Sequence, residues 1–273
     1  MTREAGIIEL ASWLRTPPGR YLLAWEQAQV DAAVADVFGF HALQLGLPAL
    51  DALRANRMRE RWLALDVAGA PLAAGLADAQ GGVAVGDGEK RSRAAPALLC
   101  EFDELPFASA SLDLVVLPHA LELARDPHAC LREVERVLRP EGRVVILGLN
   151  PASSWGLRQN VGRLGRASRP SFLPRSGDFI GYWRLRDWLR LLDLEVDAAR
   201  FGCYRPPWKT ETWLARWGFI EPIGARWWPV LGAVYFISAV KRRSGMRLIG
   251  LARSNKRRAK AAPAVALNKH HRR

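Results

Sequence analysis

The chain has 273 residues, with 40 Lys and Arg against 27 Asp and Glu, and a formal net charge of +13. At 49% hydrophobic and 25% charged it has globular composition, which excludes a disordered or fibrous chain. The longest apolar run, Trp227 to Val240, has 14 residues with Pro229 and Gly232 inside it, too short and too broken for a membrane span, which needs about 20.

In chain order, Ile7 to Leu14 reads as a short helix. Pro17-Pro18-Gly19 separates it from a longer helix running toward residue 38. There Trp25, Ala28, Gln29 and Ala32 fall at helical spacing, and Val30, Val34 and Val37 line a neighbouring stripe. Arg3, Glu4 and Glu9 interrupt the N-terminus, so no secretory leader is expected. His41 to Leu47 reads as a buried strand, Ala49 to Met58 as a helix, and Arg61 to Val67 as a second strand. Ala68 to Ala95, rich in Ala and Gly, reads as a surface insertion or long loop in its middle.

Ala97 to Phe102 is a third strand candidate. Leu112 to Pro118 (LDLVVLP) reads as a strand without alternation, as a parallel strand covered on both faces requires. His128 to Leu138 is an amphipathic helix, with Leu131, Val134, Val137 and Leu138 on one side. Asp126 supplies its N-cap, Pro127 its first position, and Pro140 and Gly142 its stop. Arg143 to Leu149 is a strand, Leu185 to Leu192 a helix, and Glu195 to Phe201 and Ala233 to Val240 are the last strands. Strands alternating with helices at this spacing predict an α/β three-layer sandwich around a mostly parallel sheet.

Cys100, Cys130 and Cys203 form no CxxC pair, which favours free thiols in a reducing cytoplasm. The five histidines lack HxxxH or HExxH spacing, so no metal site is expected. Ser153 to Gly177, with five arginines, reads as a mobile basic loop over the carboxyl ends of the strands. Seven of the eleven tryptophans lie between Trp183 and Trp228, interleaved with Arg and Pro. They could wall a substrate pocket, sit at a membrane interface, or pack the N-terminal helices against the sheet edge.

The run from Glu101 to Asn150 carries a family resemblance. An acid (Glu101) precedes Leu105-Pro106-Phe107, and the strand Leu112 to Val116 follows. Then come the turn His119 to Leu123, the capped helix after Asp126-Pro127, the stop Val137 to Gly142, and the strand at Val144-Ile146. In order and spacing this resembles the class I S-adenosylmethionine-dependent methyltransferases of the UbiE-like, small-molecule kind. The likeness extends more weakly over about residues 38–240. It implies a seven-stranded Rossmann-like sheet, S-adenosylmethionine as cofactor, and methyl transfer to a small or lipophilic substrate.

The resemblance also assigns a site. Gln44, Leu45 and Gly46 stand at the end of the first strand, where the family has an acid and a glycine-rich loop. Pro48 and Leu50 occupy the places of the next two glycines. Leu50 is expected to add a side chain where the cofactor approaches the backbone. Asp66 is placed to accept the ribose hydroxyls, and Glu101 and Phe102 to meet the adenine. Leu117, Pro118 and His119 follow the fourth strand, and His119 is the candidate catalytic residue, to orient a substrate or remove a proton.

The alternative is a catalytically decayed descendant that binds a partner or a membrane surface. A third reading, an RNA-directed enzyme, is weakened because Asn150-Pro151-Ala152-Ser153 follows the fifth strand and departs from the base-methylation motif after the proline. Charge divides the chain: Lys241 to Arg273 holds 12 basic residues and no acid, leaving about +1 for residues 1–240. We therefore expect an N-terminal helical extension (1–37), a methyltransferase-like domain (38–240) and a basic, disordered tail (241–273). The tail offers weak contact with nucleic acid or an anionic membrane, so the expected location is cytoplasmic or peripheral to the inner membrane surface.

Overall fold

Thr16 marks the corner between the first two helices. The structure, a computed structural model, describes residues 3–67, 96–164, 172–174 and 179–242. Helix α1 (Arg3–Leu14) meets helix α2 (Pro17–Val34) across a tight turn. Thr16 Oγ1 accepts from Gly19 N at 3.4 Å, and Pro17 and Pro18 fill the first turn, where an N–H would have no helical partner. Along α2, Leu22, Glu26, Val30 and Val34 form a buried line at four-residue intervals.

The elements that follow are β1 (His41–Leu45), β2 (Glu60–Leu65), β3 (Pro96–Leu99), β4 (Leu112–Pro118), α3 (Ala120–Leu123) and α4 (Pro127–Val137). Then come β5 (Leu138–Leu149), α5 (Ser154–Leu164), α6 (Tyr182–Leu191), β6 (Leu194–Gly202), α7 (Glu211–Arg216) and α8 (Ile220–Trp227). A single 3-10 turn (Pro229–Leu231) leads into β7 (Val234–Lys241). The strands form one seven-stranded sheet in the order β3-β2-β1-β4-β5-β7-β6. All neighbours are parallel except β7, which runs antiparallel to both β5 and β6. The carboxyl ends of β1 to β6 therefore share one edge, and the strand order reverses between β1 and β4.

Helices cover both faces. On one side α4 and α6 bury Leu131, Val134, Val137, Leu185 and Leu189 against Leu43, Val115, Leu117, Ile146 and Ile237. On the other, Val30 and Val34 of α2 pack on Ala42, Leu114, Val116, Val145 and Phe236. A third cluster at the carboxyl edge joins Leu10 and Leu14 of α1 to Leu149, Trp155, Phe172 and Cys203. The N-terminal helices are thus part of the core. Asp126 caps α4 as expected, accepting from His128 N at 2.8 Å and Ala129 N at 3.1 Å.

Three expectations change. Ala49–Met58 forms turns, not a helix. Side chains take backbone groups a helix would use: Gln44 Oε1 accepts from Ala52 N, Gln44 Nε2 donates to Leu50 O, and Asn56 Oδ1 accepts from Met58 N, while Asn56 Nδ2 reaches back to Val34 O and Val37 O. Leu50 is buried in the α2-side core, not exposed in the cleft. The expected basic loop from Ser153 begins with helix α5, while 165–171 and 175–178 lie outside the described residues. The insertion at 68–95 and the basic stretch from 243 onward also lie outside them. Lys241, by contrast, belongs to β7 and pairs with Glu135 at 2.7 Å, and Arg242 reaches Glu141 and Glu195.

Candidate active site at the carboxyl edge of the sheet

The reversal between β1 and β4 leaves a crevice at the carboxyl edge, the usual place for a ligand in an open α/β sheet. Gly46 leaves β1 with φ of 75°, a left-handed conformation that glycine adopts without strain. A Cβ there would lie 3.6 Å from the Phe102 ring and 3.9 Å from Ala120 Cβ. The loop after β1 thus meets the segment after β3 and the turn after β4 at one point. Asp66, buried, stands just beyond β2, and Glu101 and Phe102 just beyond β3. Leu45 and Leu117 are fully buried in the α4-side core beneath them.

Gln44 works from inside. Its Nε2 donates to the carbonyls of Gly46, Leu47 and Leu50 at 3.1, 3.0 and 2.8 Å. Its Oε1 accepts from Ala52 N at 3.0 Å. A carboxylate at this position could not donate to three carbonyls, so the amide is the group this loop requires. The interaction fixes the backbone at Gly46 from behind, and Gln44 is a positioning residue for the loop.

The segment carrying Glu101 and Phe102 is held by α4. Arg136 donates to Leu105 O at 3.0 Å and Phe107 O at 2.9 Å, and its partner Glu133 accepts from Leu105 N at 3.1 Å. Beside Arg136, the Glu133 carboxyl is held below its ordinary range. At the opposite edge, Asp113 accepts from Phe40 N and His41 N at 2.7 and 3.0 Å and pairs with Arg139 at 3.1 Å. These polar positions in the sequence pattern fasten the strands to one another.

His119 follows β4 with φ of 54° and no exposed surface. Its Nε2 lies 2.8 Å from Glu26 Oε1, and its Nδ1 lies 2.9 Å from Glu122 Oε2. Glu122 Oε1 also accepts from Leu149 N. The cluster joins α2, the β4 turn and the end of β5. Burial draws the imidazole pKa down, but the two carboxylates outweigh it and push the value up to about 10. This favours the doubly protonated imidazolium, a form that holds its neighbours in place and has no lone pair for proton removal.

Glu26 is the residue that sequence reasoning missed. Its signal was a lone carboxylate in line with Leu22, Val30 and Val34 on the core-facing side of α2. Glu26 Oε2 has no hydrogen-bond partner among the described residues. The three cysteines are free and buried. Burial raises the Cys100 thiol to about 11 and also raises Cys130 and Cys203, so none is a thiolate nucleophile near pH 7. Among the described residues, no group of three or more His, Cys, Asp or Glu could hold a metal ion.

A sheet ordered β3-β2-β1-β4-β5-β7-β6 with only β7 reversed, and a glycine turn at its switch point, is the Rossmann-like fold of the class I S-adenosylmethionine-dependent methyltransferases. Residues 51–146 match the profile of the "Methyltransferase domain" family, compatible with the UbiE-like kind. The chain is 43% identical over 105 residues to the uncharacterized protein YafS of Escherichia coli K12, covering 38% of this chain and 41% of that one. It is 44% identical over 66 residues to a malonyl-[acyl-carrier protein] O-methyltransferase of Laribacter hongkongensis, covering 24% and 22%. The matches thus span less than half the length of these curated relatives. Among solved structures, a chain of the Haloferax volcanii complex of the Trm112 methyltransferase activator with a methyltransferase superposes with TM-score 0.53 at 18% identity. That superposition covers 87% of this chain and 97% of the other, and it shows the shared fold.

Proposed function

We propose that this protein transfers a methyl group from S-adenosylmethionine to a small or lipophilic acceptor at the carboxyl edge of its sheet. The observation that carries the reading is the contact of Gly46 with Phe102 at the carboxyl edge, beside the β1/β4 switch point, with Asp66 and Glu101 just beyond the ends of the neighbouring strands β2 and β3. The left-handed glycine allows a ligand close to the backbone, and the two carboxylates give acceptors for a nucleoside's hydroxyls and amino group. These features fit the adenosine half of the cofactor. Likeness to an O-methyltransferase supports the reaction class.

In this reading Asp66 holds the ribose, Glu101 meets the adenine amino group, and Phe102 packs against the base. Leu45, Gly46 and Leu117 form the floor beneath the cofactor. When bound, the cofactor supplies an electrophilic sulfonium methyl. The protein then needs only to align the acceptor and exclude water, because no covalent intermediate on the enzyme is required. Gln44 and His119 act as positioning residues, fixing the loops after β1 and β4.

Isothermal titration of the intact protein with S-adenosylmethionine and its demethylated product tests the reading. Binding is expected, and Asp66→Ala should weaken it about tenfold or more through loss of a ribose acceptor. Absence of heat and of a thermal shift at millimolar ligand would overturn it.

A further inference from the structure

The connection from β6 to β7 begins and ends at the carboxyl edge, since Gly202 and Val234 face each other across the two strands. Part of it is anchored inward: Trp155 Nε1 donates to Arg205 O at 2.7 Å, and Arg205 lies 4.4 Å over the Tyr21 ring. Leu214 of α7 and Gly224 of α8 are buried, and Glu221 accepts from Tyr204 N at 3.2 Å. Asn150 Nδ2 ties its far end to β5 through Val230 O and Gly232 O. Many of its large apolar side chains are nonetheless exposed, among them Trp208, Trp213, Phe219, Ile223, Trp227 and Trp228, Trp227 at 69% and Trp228 at 58%. Trp208 stacks on Trp213 with ring centroids 5.5 Å apart, and Ile223 and Trp227 share a flank of α8. Single exposed apolar residues are ordinary on a protein surface, but such a concentration within one connection marks an interaction surface.

Charge selects the partner. Both acids of the two helices are engaged: Glu211 with Arg20 at 3.2 Å, and Glu221 with Arg205 at 3.8 Å. Lys209, Arg216 and Arg226 are exposed and make no ion pair among the described residues. The unpaired charge of this surface is therefore entirely positive. Arg216 lies 5.6 Å over the Trp213 ring, leaving a cation beside an aromatic face. A second copy of the chain meeting this surface by two-fold symmetry would oppose like charges. An anionic lipid surface complements both features: tryptophan rings settle at the headgroup boundary, and basic side chains meet lipid phosphates. The helices have six and eight residues, and no described helix is long and apolar enough to cross a membrane. Helices this short could only lie along a bilayer, not cross it.

We propose that the β6–β7 connection is a docking surface for an anionic phospholipid bilayer, set beside the candidate active site. The proposal does not depend on methyl transfer, because its test needs no cofactor or activity. Flotation of the full-length protein with phosphatidylcholine vesicles, and with vesicles containing phosphatidylglycerol, measures it directly. Binding is expected to the anionic vesicles and to weaken as salt is raised. The double variant Trp227→Ala/Trp228→Ala should bind about tenfold more weakly, through loss of interfacial apolar area. Arg216→Glu/Arg226→Glu should lose the preference for anionic lipid. These side chains are exposed, and unchanged circular dichroism and melting temperature confirm that each variant folds. No binding to anionic vesicles, or equal binding by the tryptophan variant, would overturn the proposal. So would sedimentation showing that the tryptophan variant only dissociates an oligomer of this chain.

Discussion

Replacing His119 by alanine removes the cation from a fully buried cluster. Glu26 and His119 show no exposure and Glu122 only 7%, with contacts of 2.8 and 2.9 Å. Without the imidazolium, two carboxylates remain in a region closed to water. Breaking a buried ion pair from one side destabilises by about 3–5 kcal/mol. For a chain of this size each kcal/mol moves the melting temperature by about 2–4 °C, so a drop of about 10 °C is expected. Glu26→Gln keeps the shape and should cost less, about 1–3 kcal/mol. Because the folded-state pKa of about 10 lies above the ordinary 6.5, the stabilisation is complete below about pH 6.5 and is lost as pH rises toward 10. Wild-type melting temperature should therefore fall across that window, and His119→Ala should lack this component. Scanning calorimetry at stepped pH reads both effects. A loss below about 1 kcal/mol in the alanine variant, or identical pH profiles for the two proteins, would refute the buried-cluster argument.

Two further perturbations probe the framework around the site. Gly202→Ala would drive its methyl group into the Trp25 indole, so a loss of about 1–3 kcal/mol in urea unfolding is expected from overpacking. Trp25→Ala should make the same glycine change nearly neutral; independent, additive losses would contradict the contact. Arg136→Ala frees the carbonyls of Leu105 and Phe107, and should speed hydrogen exchange at Leu105 and Phe107 while β4 stays protected. Unchanged exchange there would show that the segment is held by something other than α4.

The central architecture was legible because its signals are local and redundant. The apolar run Leu114 to Pro118 of β4, the stripe on α4 and the Asp126-Pro127 cap each state one element, and the structure has all three. The failures share a cause: one side chain reaching across sequence. Ala49–Met58 has the composition of a helix, but Asn56 and Gln44 capture backbone groups from segments up to 22 residues away. Leu50 consequently faces the core, which no spacing argument could reveal. His119 looked like a turn histidine near a cleft. Its pKa is raised by Glu122 and by Glu26, 93 residues distant, and Glu26 is conspicuous only once α2 is known to lie on the sheet. The positions of Gly46, Asp66 and Glu101-Phe102 were read through resemblance. That they stand at neighbouring strand ends of one edge is a property of strand order, which no one segment encodes.

Strand order also separates what is recognisable from what can fold. The stretch matched as a methyltransferase domain runs from 51 to 146, and β1 ends before it begins. Yet β1 lies between β2 and β4. A polypeptide cut to the matched stretch would hold two ribbons, β2 with β3 and β4 with β5, each presenting a raw edge where the central strand had been. Such a fragment should self-associate through those edges instead of closing into a monomer. The heritable signature of this protein is a contiguous text, whereas its cooperative unit is assembled around a strand that the text omits.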